Sequence, residues 1–138
     1  MGNVFHQCYY HFTWSTRWRH ETIDDEVRRW TVGAIENESR QRGATVQTCN
    51  AMPDHVHLFV SMPPTGDRSV FIGQVKGASA FQFNRQFPQH DKLEWQQGYA
   101  ILTLRKGEAP KLIAYIDDQQ RRHAEKRTIR LFEERPDD

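Results

Sequence analysis

The sequence predicts an α+β fold of the ferredoxin-like, split βαβ kind. That is an antiparallel four-stranded sheet built in the order β-α-β-β-α-β, with its helices on one face and a further helix at the C-terminal end. Three observations carry this. Segments that alternate apolar and polar residues at every second position trade places with segments whose apolar residues recur every third or fourth position. The stretch Met52-Pro53-Asp54-His55-Val56-His57-Leu58-Phe59-Val60-Ser61-Met62 holds a turn signal followed by alternation, which reads as the second half of a hairpin. A last helical pattern opens at Pro110, after the fourth strand pattern has ended.

Taken in order, Phe5 to Trp14 reads as the first strand, with Cys8, Tyr10, Phe12 and Trp14 on one face and Gln7, Tyr9, His11 and Thr13 on the other. Thr22 to Arg42 is the first helix. Thr22, Asp24 or Asp25 can cap it, Val27, Trp30, Ala34 and Ile35 form its core stripe, and Gly43 ends it. Ala44 to Met52 is the second strand. A two-residue Pro53-Asp54 loop sets Asn50 opposite His57 and Cys49 opposite Leu58, so Cys49 faces away from both histidines. Pro63 to Asp67 breaks the chain. Ser69 to about Arg85 is the second helix, expected to turn Phe71, Val75, Ala78 and Phe81 inward. Glu94 to Arg105 is the fourth strand region, with Ala100, Leu102 and Leu104 inward, and Pro110 to about Lys126 is the last helix.

At 138 residues the chain is one domain, 1–138, with a charged tail from about residue 127 that is expected to fray. Hydrophobic residues at 37% and charged residues at 27% describe a soluble globular chain, and no apolar run is long enough to span a membrane. The N-terminus carries no secretory pattern, and two separated cysteines, Cys8 and Cys49, fit a reduced cytoplasmic setting. Nineteen Lys+Arg against 18 Asp+Glu give a net charge of +1, which excludes a strongly basic, non-specific nucleic-acid binder. Local basic clusters remain, around Arg17, Arg19 and His20 and again from Arg121 to Arg130.

His55 and His57, at i and i+2 on one strand, point the same way, so both rings can reach one ion; Val56, Leu58 and Val60 need the helix side, which turns the histidines to the open face. Alone, such a pair reads either as a metal site or as an exposed polar strand face. Tyr115 and Gln119 stand one helical turn apart, and Arg122 continues their stripe. Tyr115 reads either as an amphipathic residue at a helix edge or as a nucleophile. Its phenol, with an ordinary pKa near 10, would then need a metal ion to draw off charge from the phosphate. Two imidazoles and the Gln119 amide leave positions open for phosphate oxygens and water, which suits Mg²⁺ or Mn²⁺ better than a closed zinc site. The turn Ser15-Thr16-Arg17-Trp18-Arg19-His20 reads either as a surface loop or as a place where Trp18 stacks on a base and arginines meet phosphate. Lys76-Gly77-Ala78-Ser79 puts a lysine beside small residues that permit close packing.

Pro53-Asp54-His55-Val56-His57-Leu58, then Pro63-Pro64, Lys76-Gly77-x-Ser79, Trp95-x-x-Gly98-Tyr99 and Tyr115-Ile116-x-x-Gln119 together resemble the single-tyrosine HUH transposases of the smallest bacterial insertion sequences. Trp14-Ser15-Thr16-Arg17-Trp18-Arg19 is similar to their early Trp-x-Thr-basic-x-Arg segment, with Arg17 where lysine is expected, and the resemblance runs from about Tyr10 to His123. It implies an enzyme that cleaves and rejoins single-stranded DNA at hairpin-marked element ends. Tyr115 would be the nucleophile, forming a 5′-phosphotyrosine and releasing a 3′-OH. His55, His57 and Gln119 would hold a divalent metal, Mg²⁺ or Mn²⁺. Arg17, Trp18, Arg19, Lys76 and Arg122 are candidate DNA contacts. The resemblance also implies a homodimer in which the tyrosine helix can complete the partner's site, acting at the nucleoid in the cytoplasm of a bacterium or archaeon. Asp117 and Asp118 would set negative charge beside the phosphate unless they face outward. Two alternatives keep the fold and change the function: a domesticated relative that nicks hairpins without transposing, and a non-catalytic single-strand binder stacking bases on sheet aromatics such as Phe59 and Tyr9.

Overall fold

A computed structural model describes residues 8–125, 128–133 and 135–136. Four strands, β1 (Tyr9–Ser15), β2 (Thr45–Met52), β3 (His55–Ser61) and β4 (Ala100–Leu104), form one antiparallel sheet in the order β2-β3-β1-β4. Helices α1 (Asp25–Gln41) and α2 (Arg68–Gln86) follow β1 and β3. This is the split βαβ arrangement expected from the sequence.

The first core lies between the sheet and α1 and α2. Tyr10, Phe12 and Trp14 of β1 and Val56, Leu58 and Val60 of β3 meet Val27, Ile35, Phe71, Ile72, Val75 and Phe83 there. Alternation puts every second strand residue into this layer, and its burial supplies most of the driving force for folding. Asp24 caps α1 by accepting from the backbone N–H of Glu26 and Val27, and Asp67 caps α2 through Ser69 and Val70. Gly43, at φ 88°, leaves α1 in the left-handed region that glycine enters without strain.

Three expectations change. Phe81 is exposed, and the buried face of α2 runs through Phe71, Ile72, Val75, Ser79 and Phe83. At 3.6 residues per turn Phe81 lies roughly 150° from the middle of that face, where the Arg85 guanidinium covers its ring. In β4 it is Ile101, opposite Phe12, that joins the first core; Leu104 turns to the other face, and Leu102 pairs with His11. The last helix is two, α3 (Ala109–Asp117) and α4 (Gln119–Ala124), divided at Asp118 (φ −99°, ψ 16°), whose side chain bonds locally to Arg121.

The face carrying the histidines is not open. Leu112, Tyr115 and Ile116 of α3 are fully buried over Phe59 in a second core, and Ile129 and Phe132 pack against it. A short helix, α5 (Arg130–Glu133), closes that layer, in the region expected to fray. The apolar stripe of α3 is the physical reason: left in water, it would expose three large side chains at once.

Candidate active site

β3 fixes His55 and His57 on one face of its ladder, and both are buried. The hairpin register is the one expected, with Asn50 opposite His57 and Cys49 opposite Leu58, and Cys49 turns into the first core. Each histidine is oriented from behind. Asp54 Oδ1 lies 2.7 Å from His55 Nδ1, and His11 Nε2 lies 2.9 Å from His57 Nδ1. Both Nε2 atoms therefore turn to a common point. The atom found there is Oε1 of Glu133, 3.2 Å from each. His57 Nε2 donates to it, whereas His55 Nε2 lies off line and makes no hydrogen bond.

This donor set fits a divalent metal. The ligand atoms of His55, His57 and Glu133 lie within 4.8 Å of one another. A partner at each Nδ1 turns both Nε2 atoms to the ion position, the arrangement in which a second group orients a ligating histidine; His57 Nε2 would give up the proton it now donates to Glu133 on binding an ion.

Tyr115 completes the cluster. Its ring stands edge-on to that of His57, with centroids 6.2 Å apart, so the phenol approaches histidines of its own chain. Its hydroxyl donates to Glu133 Oε2 in a short hydrogen bond and accepts from the backbone N–H of Ile129 at 2.9 Å. Phe132 packs on the ring at 5.3 Å and the Arg122 guanidinium lies 4.8 Å from its centre. The whole residue has no exposed surface.

Charge in the cluster is set by burial against these contacts. Burial and then the hydrogen bond to Glu133 push Tyr115 up to about 12, against smaller lowering effects from the Ile129 N–H and the Gln119 amide. Burial pulls His57 below the ordinary imidazole value despite Glu133. Burial also pulls on His55, but the carboxylates of Asp54 and Glu133 outweigh it and raise its pKa. For Glu133 burial is outweighed by His123, His55 and His57, which hold the carboxyl far below the usual carboxylate range. Burial, aided by His57, drops His11 to about 3, so it stays neutral behind His57.

The structure brings His55, His57 and Tyr115 together. Gln119 is buried beside them, but its amide is engaged elsewhere: Nε2 donates to the Tyr115 carbonyl at 3.3 Å, and Oε1 lies 3.0 Å from His123 Nε2. The third group on the histidines is Glu133. Asp118 pairs with Arg121 and Arg122, and Asp117 bonds to Thr48, so both acids are engaged outside the histidine cluster. Of the candidate DNA contacts, Arg17, Trp18 and Arg19 form an exposed or half-exposed 3-10 turn after β1. Arg122 packs on the phenol. Lys76 is turned inward: its ammonium donates to the carbonyls of Gln96 at 2.9 Å and Gly98 at 2.7 Å, and burial lowers it to about 8.

The sequence model of the family described as "Transposase IS200 like" matches residues 4–119. The chain belongs to that family. It is 33% identical over 123 residues to the ISDra2 transposase TnpA of Deinococcus radiodurans, covering 86% of this chain and 87% of that protein. It is 26% identical over 117 residues to a transposase for insertion sequence element IS200 of Salmonella typhimurium, covering 81% and 76%. Among solved structures it resembles a putative transposase from Deinococcus radiodurans, with a TM-score of 0.68, 27% identity, and coverage of 86% and 96%. It shares its fold with a REP-associated tyrosine transposase bound to a REP hairpin, with a TM-score of 0.62, 18% identity, and coverage of 89% and 74%. DNA binding and DNA transposition are the functions of the IS200-like family to which these residues belong. Among the described residues no helix is long and apolar enough to cross a membrane.

Asp54, His11, His123 and Glu133 are site residues that sequence reasoning did not find. Asp54 adjoins His55 but reads as a turn residue. His11 was placed on the correct face of β1, and only the pairing of Thr13 with His57 brings it alongside.

Proposed function

We propose that this IS200-like transposase cleaves and rejoins hairpin-marked single-stranded DNA, with Tyr115 as nucleophile. The observation that carries the reading is the meeting of one phenol with two buried imidazoles whose Nε2 atoms share a target. Attack forms a bond from the Tyr115 hydroxyl oxygen to phosphorus and breaks the bond from phosphorus to the 3′ oxygen. The phenol gives up its proton, the 3′ oxygen gains one, and a 5′-phosphotyrosine results.

His55 and His57 would hold the metal, Mg²⁺ or Mn²⁺, with Gln119 as the third protein ligand, while Glu133 takes that place only in the closed state. A divalent cation there supplies charge neutralisation at a phosphate oxygen. Asp54 keeps the His55 imidazole in the tautomer that presents Nε2, and His11 can accept from His57 Nδ1 once Glu133 has withdrawn. Arg17, Trp18 and Arg19 supply a DNA-contacting turn beside the site.

Glu133 adds a condition. Its two carboxylate oxygens stand where two phosphate oxygens of a substrate would be wanted, one toward the histidines and one at the phenol. The Tyr115 hydroxyl meanwhile donates to Glu133 and accepts from Ile129. In this closed arrangement the nucleophile has no path to phosphorus, so the segment 129–133 moves away before DNA is cut. The protein works as a homodimer, a reading supported by β2 and β4, which among the described residues are the unpaired edges of the sheet. The contact of Tyr115 with His57 of its own chain favours chemistry within one subunit.

The test is incubation of the protein with end-labelled single-stranded DNA carrying the hairpin, with Mg²⁺ or Mn²⁺. A covalent protein–DNA band is expected, with the nucleotide on the peptide containing Tyr115. Tyr115→Phe should abolish the band with hairpin affinity nearly unchanged, and Tyr99→Phe should keep it. An adduct on another tyrosine refutes the mechanism.

A further inference from the structure

Four tryptophans divide sharply in this protein. Trp14 is fully buried and Trp95 stands edge-on to it at 5.7 Å, whereas Trp18 is 69% exposed. The fold does more than tolerate this. Trp18 (φ 57°) and Arg19 (φ 55°) both take the left-handed backbone region, and they are the two described non-glycine residues that do. Side chains at Cβ disfavour that region, so a turn that uses it twice in succession is held there by its surroundings. The holding bonds are present: Thr16 Oγ1 donates to the His20 carbonyl at 2.6 Å, Arg17 N to the Glu94 carbonyl at 2.9 Å, and Arg19 N to the Thr16 carbonyl at 3.1 Å.

The result is an exposed indole, a fin that lines two cavities. One, of about 400 Å³, is walled by Trp18, Trp95, Gln96 and Gln97. The other, of about 210 Å³, lies against Trp18, His20 and Lys92. Arg17 and Glu94 line both, ion-paired at 3.1 Å, and the Arg17 guanidinium lies 5.4 Å from the indole centre. The chemistry differs across the fin. The larger cavity adds the Gln96 and Gln97 amides, donors and acceptors that suit a base edge, and the smaller adds the Lys92 ammonium, which suits a phosphate.

The fin is tied to the catalytic cluster. Thr16 N donates to the carbonyl of Asp54 at 2.8 Å, and the Asp54 side chain orients His55. Ser15 pairs with His55, and the three steps along the chain from Ser15 to Trp18 span at most about 11 Å. A DNA strand that runs from a phosphate at the histidines along this turn reaches the indole within a nucleotide or two.

We infer that Trp18 is a base-stacking fin that inserts between two unstacked bases of single-stranded DNA beside the scissile phosphate, with Gln96 and Gln97 on the edge of the base in the larger cavity. The inference rests on the transposase reading for its ligand class. It differs from that reading in naming where bases, rather than phosphate, are held.

The test reads binding with no cleavage. A single-stranded dT oligomer of roughly a dozen nucleotides is titrated into the full chain in the presence of a chelator, with tryptophan emission and affinity followed together. The emission of exposed Trp18 should be quenched. Trp18→Ala should weaken binding by about 5- to 150-fold and abolish the quench, and Trp18→Phe, which keeps a π face, should retain most of the affinity. An oligomer with bases removed at successive positions should lose affinity at two adjacent positions and little elsewhere. Unchanged affinity in Trp18→Ala overturns the inference, as does an equal loss in Trp18→Phe. Because no metal is present, the outcome is independent of adduct formation at Tyr115: a protein that stacks but forms no adduct keeps the fin and loses the transposase mechanism, and the reverse loses the fin alone.

Discussion

Replacing Glu133 by alanine should speed formation of the covalent DNA adduct. In the closed arrangement its carboxylate accepts from His57 and from Tyr115 and lies 3.2 Å from His55 Nε2. A hydrogen bond to a charged group contributes about 1.5–3 kcal/mol net. If one such bond's worth of the closed state is lost, the open population rises by about 10- to 150-fold, and so does the cleavage rate wherever opening precedes it. The contacts of Phe132 with Tyr115 and of Ile129 N with the phenol remain, so the segment is loosened and not removed. Glu133→Gln should give a smaller rise, since the amide oxygen can still accept from the phenol. The assay is single-turnover adduct formation on end-labelled hairpin DNA with saturating Mn²⁺, read by denaturing gel. A fall in rate as deep as that of His57→Ala would refute the reasoning, because Glu133 would then be a required metal ligand or proton acceptor.

Asp54→Ala removes the group behind His55 without touching an ion, and should weaken Mn²⁺ binding by about 10- to 100-fold, measured calorimetrically on the folded protein; unchanged affinity would remove Asp54 from the site. On α2, Phe83→Ala should destabilise by about 3–5 kcal/mol in urea unfolding, while Phe81→Ala should stay within about 0.5 kcal/mol. Equal losses at the two positions would mean that the buried face of α2 runs elsewhere.

What the sequence made legible follows the range of the interactions involved. The β2–β3 register is local: a two-residue turn and a period of two leave one pairing that keeps Val56, Leu58 and Val60 in the core, and Asn50 does stand opposite His57. The helical stripe of α2 is legible at its start and not at its end: a spacing of three, from Val75 to Ala78 to Phe81, drifts around the helix, and the buried spacing of four through Ser79 and Phe83 uses a serine that hydropathy discounts. The break at Asp118 leaves no mark in the sequence, because the residues after it, Gln119 to Ala124, hold neither glycine nor proline and continue a helical pattern. Glu133 was out of reach for a different reason. It contacts His57 across 76 residues, from a charged segment with no periodicity to mark it. Nothing in such a segment says that one of its acids is 14% exposed and facing two histidines.

The landmarks that mark the family divide into two kinds once their contacts are known. In the proposed mechanism His55, His57 and Tyr115 carry the chemistry. Lys76, Ser79, Trp95 and Gly98 carry none directly, yet their spacing is just as constrained, because they form one lock. The Lys76 ammonium donates to the carbonyls of Gln96 and Gly98, and the Lys76 carbonyl accepts from Trp95 Nε1 at 2.9 Å and from Ser79 Oγ at 3.1 Å. Gly98, at φ 87°, turns its carbonyl to the lysine in a conformation that a side chain would strain, and a Cβ there would also meet Pro136 at 3.3 Å. The lock holds the 94–98 segment against the end of β1, where Gln96 N donates to the Ser15 carbonyl and Thr16 bridges Trp95. Ser15 in turn is the pairing partner of His55. A lysine that the resemblance offers as a DNA contact is thus engaged with the backbone: it fixes the strand end from which both the histidine pair and the Trp18 turn take their positions.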